Sequence, residues 1–208
     1  MQRNSNDNST GCWRCLLNPD GNYTVEAVRE LVDKSPDDGS TSFVTWCKEI
    51  PSKVLGFVWR AAQGKIPSAE ALSKRGIPVQ SVACGICGEI EDANHILISC
   101  TFATKIRSWI STWTGVVLPA VSNMRGLLNF VDHWGRCLKK RLILKSIIYG
   151  QFWSLWKARN NRIFNKRLVP AHGVLEETIS SVFFWLNYRG KWGRGIWEKW
   201  KTTPFEGL

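Results

Sequence analysis

The chain has 208 residues, 44% of them hydrophobic, and a formal net charge of +11 at pH 7. This length and apolar content allow one domain, or one domain with an extension, and exclude a chain that is disordered throughout. Residues 1–134 hold 13 Lys+Arg and 13 Asp+Glu whereas residues 135–208 hold 15 and 4, which favours a polyanionic partner, nucleic acid before an acidic membrane surface.

The N-terminus, residues 1–10, is polar and has no apolar stretch after Met1, so it predicts a disordered segment without a signal or transit peptide. We therefore expect an intracellular protein, with the nucleus favoured over the cytoplasm. In a reducing compartment the seven Cys are expected as thiols or metal ligands and not as disulfides.

Residues 11–50 predict short β elements and then a helix. The Asn-Pro-Asp-Gly sequence at 18–21 is typical of a turn that joins two short strands. Thr24 is a suitable N-cap for a helix with one apolar face, and the Ser-Pro-Asp-Asp-Gly-Ser segment at 35–40 is expected as the loop that ends it.

Two helices are predicted before the first cysteine pair of the central segment. Apolar residues from Val54 to Ala62 recur at helical spacing, and Gly64 is placed to end that helix. Ser68 is a good N-cap for a shorter helix, which Gly76 ends.

The spacing Cys84-x2-Cys87-x7-His95-x4-Cys100 indicates a metal site. Three thiolates and one imidazole close a tetrahedral structural zinc site. The alternatives fit less well, because a redox Cys-x2-Cys usually starts a helix in a βαβ pattern and a haem motif needs His directly after the second Cys. Since all four positions would be filled by the protein, the one expected Zn²⁺ is structural and not catalytic.

Further helices are predicted after Thr101, which could serve as the N-cap, from Ser122 to about Gly135, from Leu138 to about Phe164 and from Val174 to Tyr188. The stretch 142–156 is the most apolar, but it is too short for a bilayer and predicts a buried helix. The expected fold is mainly α, a small helical domain organised around the site of three cysteines and one histidine, with short β elements near the N-terminus and a basic helical C-terminal extension.

Residues 48–60 resemble the "IP-K-V-x-x-F-x-W-R" signature of the reverse transcriptase zinc-binding domain found in plant LINE-type, non-LTR retroelements. Residues 21–25 and 156–164 resemble its upstream "G-x-Y-S-V" and a downstream "W-x-x-R-N-x-x-x-F", so the resemblance covers roughly 11–165. Further matching positions, in chain order, are 64–68, 72–77, Cys84, Cys87, Glu91, His95, Cys100 and Trp109.

The resemblance implies that Cys84, Cys87, His95 and Cys100 are the metal ligands of a zinc-binding domain at 11–118, followed by a basic helical region at 119–208. It also implies a reverse transcriptase domain as a partner. The polymerase's own Tyr/Phe-x-Asp-Asp motif has no counterpart in the sequence, and a two-metal enzyme needs clustered carboxylates. We therefore expect no enzymatic activity from this chain.

The basic C-terminal third predicts an RNA or single-stranded DNA surface, with Trp192, Trp197 and Trp200 as stacking rings. Alternatively, Arg159 and Asn160 brace helices, the Trp residues hold the tail against the core, and the lysines only solubilise. The phosphate-binding candidates are Lys139, Lys140, Arg141, Lys145, Lys157, Arg159, Arg162, Lys166, Arg167, Lys191 and Arg194.

Three functions remain open from the sequence: a non-catalytic module that assists nucleic-acid binding, a protein-interaction module that packs against a polymerase domain, and a retroelement remnant without function. No membrane and no small-molecule substrate is expected among the partners. Cys47 and Cys137, which are isolated, are expected as small buried hydrophobes. The acidic zinc loop, with Glu89, Glu91 and Asp92, is expected to repel phosphate.

Overall fold

The computed structural model describes residues 44–190 and 195–206, together with residues 2, 3, 13, 14, 22, 24 and 26. The chain divides into two compact units, 1–42 and 43–208. In the first unit, β1 (Gln2–Arg3) and β2 (Trp13–Arg14) pair antiparallel. The predicted turn at 18–21 and the predicted loop at 35–40 lie outside the described residues. So do most of residues 1–10, which are predicted to be disordered, and most of the helix predicted after Thr24.

The second unit is helical, which confirms the predicted fold class. A single π-helical turn, His95–Ser99, lies between the second and third of its α-helices. The described α-helices are α1 (Ser52–Ala62), α2 (Ala69–Lys74), α3 (Thr101–Thr114), α4 (Met124–His133), α5 (Leu138–Phe164), α6 (Ala171–Arg189) and α7 (Trp197–Thr202).

The first two helices follow the sequence pattern closely. The carbonyl of Pro51 accepts hydrogen bonds from the first free N–H groups of α1, and its apolar face, which includes Val54 and Phe57, is buried. At the start of α2 the Ser68 hydroxyl accepts a hydrogen bond from Ala71 N at 3.3 Å, so the predicted N-cap is confirmed.

Two predicted helix starts differ from the structure. Thr101 is the first residue of α3 and does not cap it, because Cys100 occupies the N-cap position with extended backbone dihedrals. Helix α4 begins at Met124, two residues after the predicted start at Ser122, because the Asn123 side chain caps it by accepting a hydrogen bond from Gly126 N at 3.0 Å.

The central element is α5, and the predicted buried helix at 142–156 is confirmed. It packs against α1, α3, α4, α6 and the π-helical turn, so one core joins helices from both sides of residue 118. It lies close to α6 at Gly150, where an added Cβ would lie 2.6 Å from Val182 Cγ2. No helix in the described part of the chain combines the length and apolar composition that a membrane crossing requires.

The tail returns to the core through α7. Trp200 is fully buried, its indole Nε1 donates to Ile179 O at 2.9 Å, and its ring meets that of Trp113 edge-on at 5.3 Å. The prediction of Trp200 as a base-stacking ring is therefore wrong, because no base can reach it. Trp197 keeps an exposed edge, whereas Trp192 lies outside the described residues.

Candidate metal centre

A tight hairpin brings the first cysteine pair together. Ala83 and Ile90 form an antiparallel bridge, and inside it Cys84 N donates to Glu89 O at 2.6 Å. Gly88 N donates to Cys84 O at 2.9 Å, and Gly88 has a φ of +82°, a conformation that favours glycine. The turn therefore directs both sulfurs of the pair toward one point.

The π-helical turn returns the chain to the same point. Asp92 caps this turn, because its carboxylate Oδ1 accepts a hydrogen bond from His95 N at 2.5 Å. At the other end Cys100 N donates to His95 O at 2.9 Å, where the π-helical turn meets α3. His95 and Cys100 thus lie at the two ends of one short, buried element.

The four predicted ligands form one cluster. Their donor atoms all lie within 4.8 Å of one another. Cys100 Sγ is 3.9 Å from both Cys84 Sγ and Cys87 Sγ, and His95 Nε2 is 3.2 Å from Cys87 Sγ. Two thiolates on a tetrahedral zinc with bonds of about 2.3 Å would be roughly 3.8 Å apart, so the spacing fits that ion.

The chemistry of the donors also fits a cation that binds thiolates. Burial alone would raise the pKa of Cys84, but backbone N–H groups of Cys87 and Ile86, with the His95 and Cys87 side chains, lower it to about 7. Burial raises the pKa of Cys100 to about 11. A metal ion would therefore find one thiol close to ionisation and would have to displace a proton from another.

A buried ion pair connects the hairpin to the central helix. Glu91 is 2% exposed and Arg159, on α5, is 7% exposed. Glu91 Oε1 accepts hydrogen bonds from Arg159 Nε at 3.0 Å, from Arg159 Nη2 at 2.5 Å and from Ala69 N at 3.3 Å. Arg162 Nη2 lies 3.5 Å from the second carboxylate oxygen, so this buried carboxylate is fully satisfied.

The same arginine rests on aromatic side chains. Its guanidinium carbon lies 5.1 Å from the centre of the Trp156 ring, which stacks on Phe57 of α1 at 5.7 Å. Because Arg159 is buried, paired and stacked, its prediction as a phosphate contact is wrong. The alternative interpretation, that Arg159 braces helices, describes what the structure has.

Other predicted phosphate contacts are also engaged within the fold. Lys145 is buried and bonded to Asp132 Oδ1 at 2.7 Å, so its prediction as a phosphate contact is wrong for the same reason. Lys157 forms an ion pair with Glu177. Arg141 donates to the carbonyl oxygens of Trp134 and Gly135 at the start of α5.

Four of the remaining candidates are more accessible. Lys140, Lys166 and Arg167 are exposed and Lys139 is partly exposed, whereas Lys191 and Arg194 lie outside the described residues. The acidic charge expected at the hairpin is partly offset, because Arg159 and Arg162 approach Glu91.

The two isolated cysteines differ from one another. Cys47 is half-buried against the core, but Cys137 is exposed just before α5, so its prediction as a buried hydrophobe is wrong.

The Glu91–Arg159 pair is the main feature of the site that sequence reasoning missed. Both positions belong to sequence motifs, but 68 residues separate them. No spacing rule joins a loop carboxylate to a helix guanidinium over such a distance. Only conservation of charge at both positions across many sequences would have indicated the pair.

One of the comparisons with known proteins, the match to a family model, agrees with this geometry. No curated protein and no solved structure matches the chain significantly. Residues 23–109, which contain the hairpin, the π-helical turn and all four clustered ligands, match the model of a family described as zinc-binding in reverse transcriptase.

Proposed function

We propose that Cys84, Cys87, His95 and Cys100 bind one structural Zn²⁺. The observation that carries this proposal is the convergence of three sulfurs and one imidazole nitrogen within 4.8 Å, inside the segment that matches the zinc-binding family. When bound, the ion supplies a cross-link between the hairpin and the start of α3 and no reaction chemistry, because protein atoms fill all four positions.

The wider role that we propose is that of a non-catalytic accessory module, derived from a reverse transcriptase of plant LINE-type elements, that assists binding of RNA or single-stranded DNA. The support is the positive charge of the last third of the chain and the exposure of Lys140, Lys166 and Arg167 near the two ends of α5. We propose a nuclear location for this module.

Elemental analysis of the purified protein tests the metal proposal. We expect one zinc per chain, and about none in Cys84→Ser or Cys100→Ser. Cys47→Ser, which removes a half-buried thiol outside the cluster, is the control and should retain the zinc. Zinc bound at the same level in the cluster variants would contradict the assignment.

Fluorescence anisotropy with single-stranded RNA and DNA at about 50 and 200 mM salt tests the nucleic-acid role. Binding should weaken steeply with salt, and it should weaken further when Lys140, Lys166 and Arg167 are replaced by Gln. Affinity that does not respond to salt or to these substitutions would count against the role.

A second candidate, docking against a polymerase domain, is favoured by one surface feature. Phe184 and Tyr188 stack at 6.1 Å on an exposed face of α6, and Ile196, which follows that helix, is exposed as well. A Phe184→Ser, Tyr188→Ser variant should lose binding to a purified reverse transcriptase domain in sedimentation experiments while it keeps the affinity for nucleic acid. A chain that binds neither partner would fit a remnant without function.

A further inference from the structure

Helix α1 has a glycine in its interior that packing within the described chain does not require. Gly56 is the fifth of 11 residues, it is partly exposed, and a Cβ added there would meet no atom within 4 Å. Glycine in the middle of a helix lowers stability relative to alanine. Since no contact within the described chain explains this loss of helix stability, the missing side chain is better explained by a ligand that comes close to the backbone at Gly56.

Two cationic side chains flank this glycine on the same face of the helix. Lys53 lies three residues before Gly56 and Arg60 four residues after it, which places all three on one face, and Arg60 Nε donates to Gly56 O at 3.3 Å. Both cations are exposed, α1 contains no acidic residue, and neither cation forms an ion pair with an acid in the described ranges. Their charges therefore face solvent.

Two indole rings border the same face. Trp59 is 39% exposed, and Lys65 Nζ lies 6.0 Å from the centre of its ring. Trp153, from α5, lies on the other side, where its ring meets Phe57 edge-on and Lys53 Nζ is 5.9 Å from its centre. The helical positions of Trp59 and Lys53 put these rings on opposite edges of the exposed arc.

We propose that this α1 surface, defined by Lys53, Gly56, Trp59, Arg60 and Trp153, binds single-stranded nucleic acid. Lys53 and Arg60 contact phosphates, the sugar-phosphate backbone passes over Gly56, and bases stack on the indole rings. The inference rests on the proposed nucleic-acid role and gives it a location outside the basic C-terminal third. Lys53, Trp59 and Arg60 belong to the signature at 48–60, to which the zinc site assigns no role.

The pattern favours nucleic acid over an acidic peptide. Cations that lie between the exposed ring of Trp59 and the partly buried ring of Trp153 suit a chain of phosphates and bases, because every base offers a face for stacking. A peptide carboxylate would require the cations but not the rings. Competition with poly-glutamate, an acidic peptide, for the bound RNA distinguishes the two kinds of partner.

Gly56→Ala is the sharpest test, because it should raise the stability of the fold and lower the affinity for nucleic acid. Alanine should raise the melting temperature, since the helix gains propensity and the methyl group meets nothing. The same methyl group should weaken binding of a labelled single-stranded RNA by about threefold or more, because it occupies the closest approach. Unchanged affinity in a more stable protein would overturn the proposal.

The charges and the ring are tested separately. Lys53→Gln with Arg60→Gln should lower the slope of log affinity against log salt by about 1.4, the value expected for two phosphate contacts on a single strand. Trp59→Ala should weaken binding about tenfold. Lys105→Gln with Arg75→Gln removes the same charge from exposed positions on α3 and directly after α2, and should leave the slope close to that of the unmodified chain.

The set of variants separates this inference from the proposed function. If the unmodified chain binds no RNA or DNA, both fail. If replacement of Lys140, Lys166 and Arg167 weakens binding while the α1 variants do not, only the α1 surface is wrong. If poly-glutamate displaces the RNA and Trp59→Ala has no effect, the surface recognises acidic peptide and the inference is overturned.

Discussion

At the scale of single residues, Glu91 is the buried carboxylate that joins the metal centre to the rest of the fold. It accepts hydrogen bonds from one backbone N–H and from two N–H groups of Arg159. Glu91→Gln would leave a buried guanidinium without its counter-charge, so we expect a loss of about 3 kcal/mol in the free energy of unfolding. Urea unfolding of the zinc-loaded protein measures it.

Glu89→Gln is the matched control, because it removes an exposed carboxylate from the same hairpin. This substitution should change the free energy of unfolding by less than about 0.5 kcal/mol. Equal unfolding midpoints for the two variants would show that the ion pair contributes little.

The cysteine thiols predict how zinc affinity depends on pH. Zinc binds the thiolate, so each protonated thiol must lose a proton on binding. Burial raises the pKa of Cys100 to about 11, whereas hydrogen bonds lower that of Cys84 to about 7 against the effect of burial. Affinity should therefore rise between pH 6 and pH 8 and fall as the solution is acidified. Competition with a chelator whose own pH dependence is known measures this, and a flat profile would contradict the thiolate cluster.

Residue roles could be predicted where a local pattern carries the chemistry. The metal ligands could be predicted because their spacing in the sequence is what allows four side chains to reach one ion. Ser68 could be predicted as an N-cap because it directly precedes a helix. The burial of Arg159 and Lys145 could not be predicted, because both lie in a basic segment and their partners, Glu91 and Asp132, are distant in the sequence.

At the scale of elements, the contact between α5 and α6 depends on a glycine. A Cβ at Gly150 would lie 2.6 Å from Val182 Cγ2, and a β-branched side chain cannot easily turn away. Gly150→Ala should therefore lower the free energy of unfolding by about 1–3 kcal/mol despite its better helix propensity. Thermal and urea unfolding measure the change.

Gly56→Ala is again the useful comparison, because it makes the same substitution in a helix where the methyl group is unopposed. Here the free energy of unfolding should rise by about 0.5–1 kcal/mol. Val182→Ala should restore much of the stability of Gly150→Ala if the clash is the cause. Destabilisation by both glycine substitutions would contradict the packing argument.

The long helices could be predicted because each has a sustained apolar pattern and clear boundaries. The predicted bounds of α5, Leu138 to about Phe164, agree with the structure. Short elements depend on tertiary contacts, since α7 has only six residues and buries Trp200 against α3 and α6. Cys100, at the N-cap position of α3, makes no capping hydrogen bond with its side chain, which belongs to the metal-ligand cluster. Helix propensity is a property of the local sequence, so it predicts neither the burial of Trp200 nor the position of Cys100.

At the scale of the whole molecule, metal and helices should fold as one unit. The hairpin holds two ligands and also Glu91, whose partner Arg159 lies on the central helix. Removal of zinc with a strong chelator should therefore lower the melting temperature and increase hydrogen exchange both at residues 83–100 and near Arg159. Exchange that increases in the hairpin alone would show that the two parts are independent.

Residues 43–208 form one compact unit, although the sequence pattern suggests a division near residue 118. Helices before that position, α1 and α3, pack on helices after it, α5 and α6. The family match ends at residue 109, so it covers only part of this unit. The division into a zinc-binding domain at 11–118 and a basic helical region at 119–208 stays a prediction.

The pairing of Glu91 with Arg159 also constrains how related chains can diverge. A lineage that loses one of the two charges first passes through a protein with an uncompensated ion in its interior. Such an intermediate is selected against, so the two positions should be exchanged together, or replaced together by apolar residues. An alignment of relatives should therefore show covariation between positions 91 and 159.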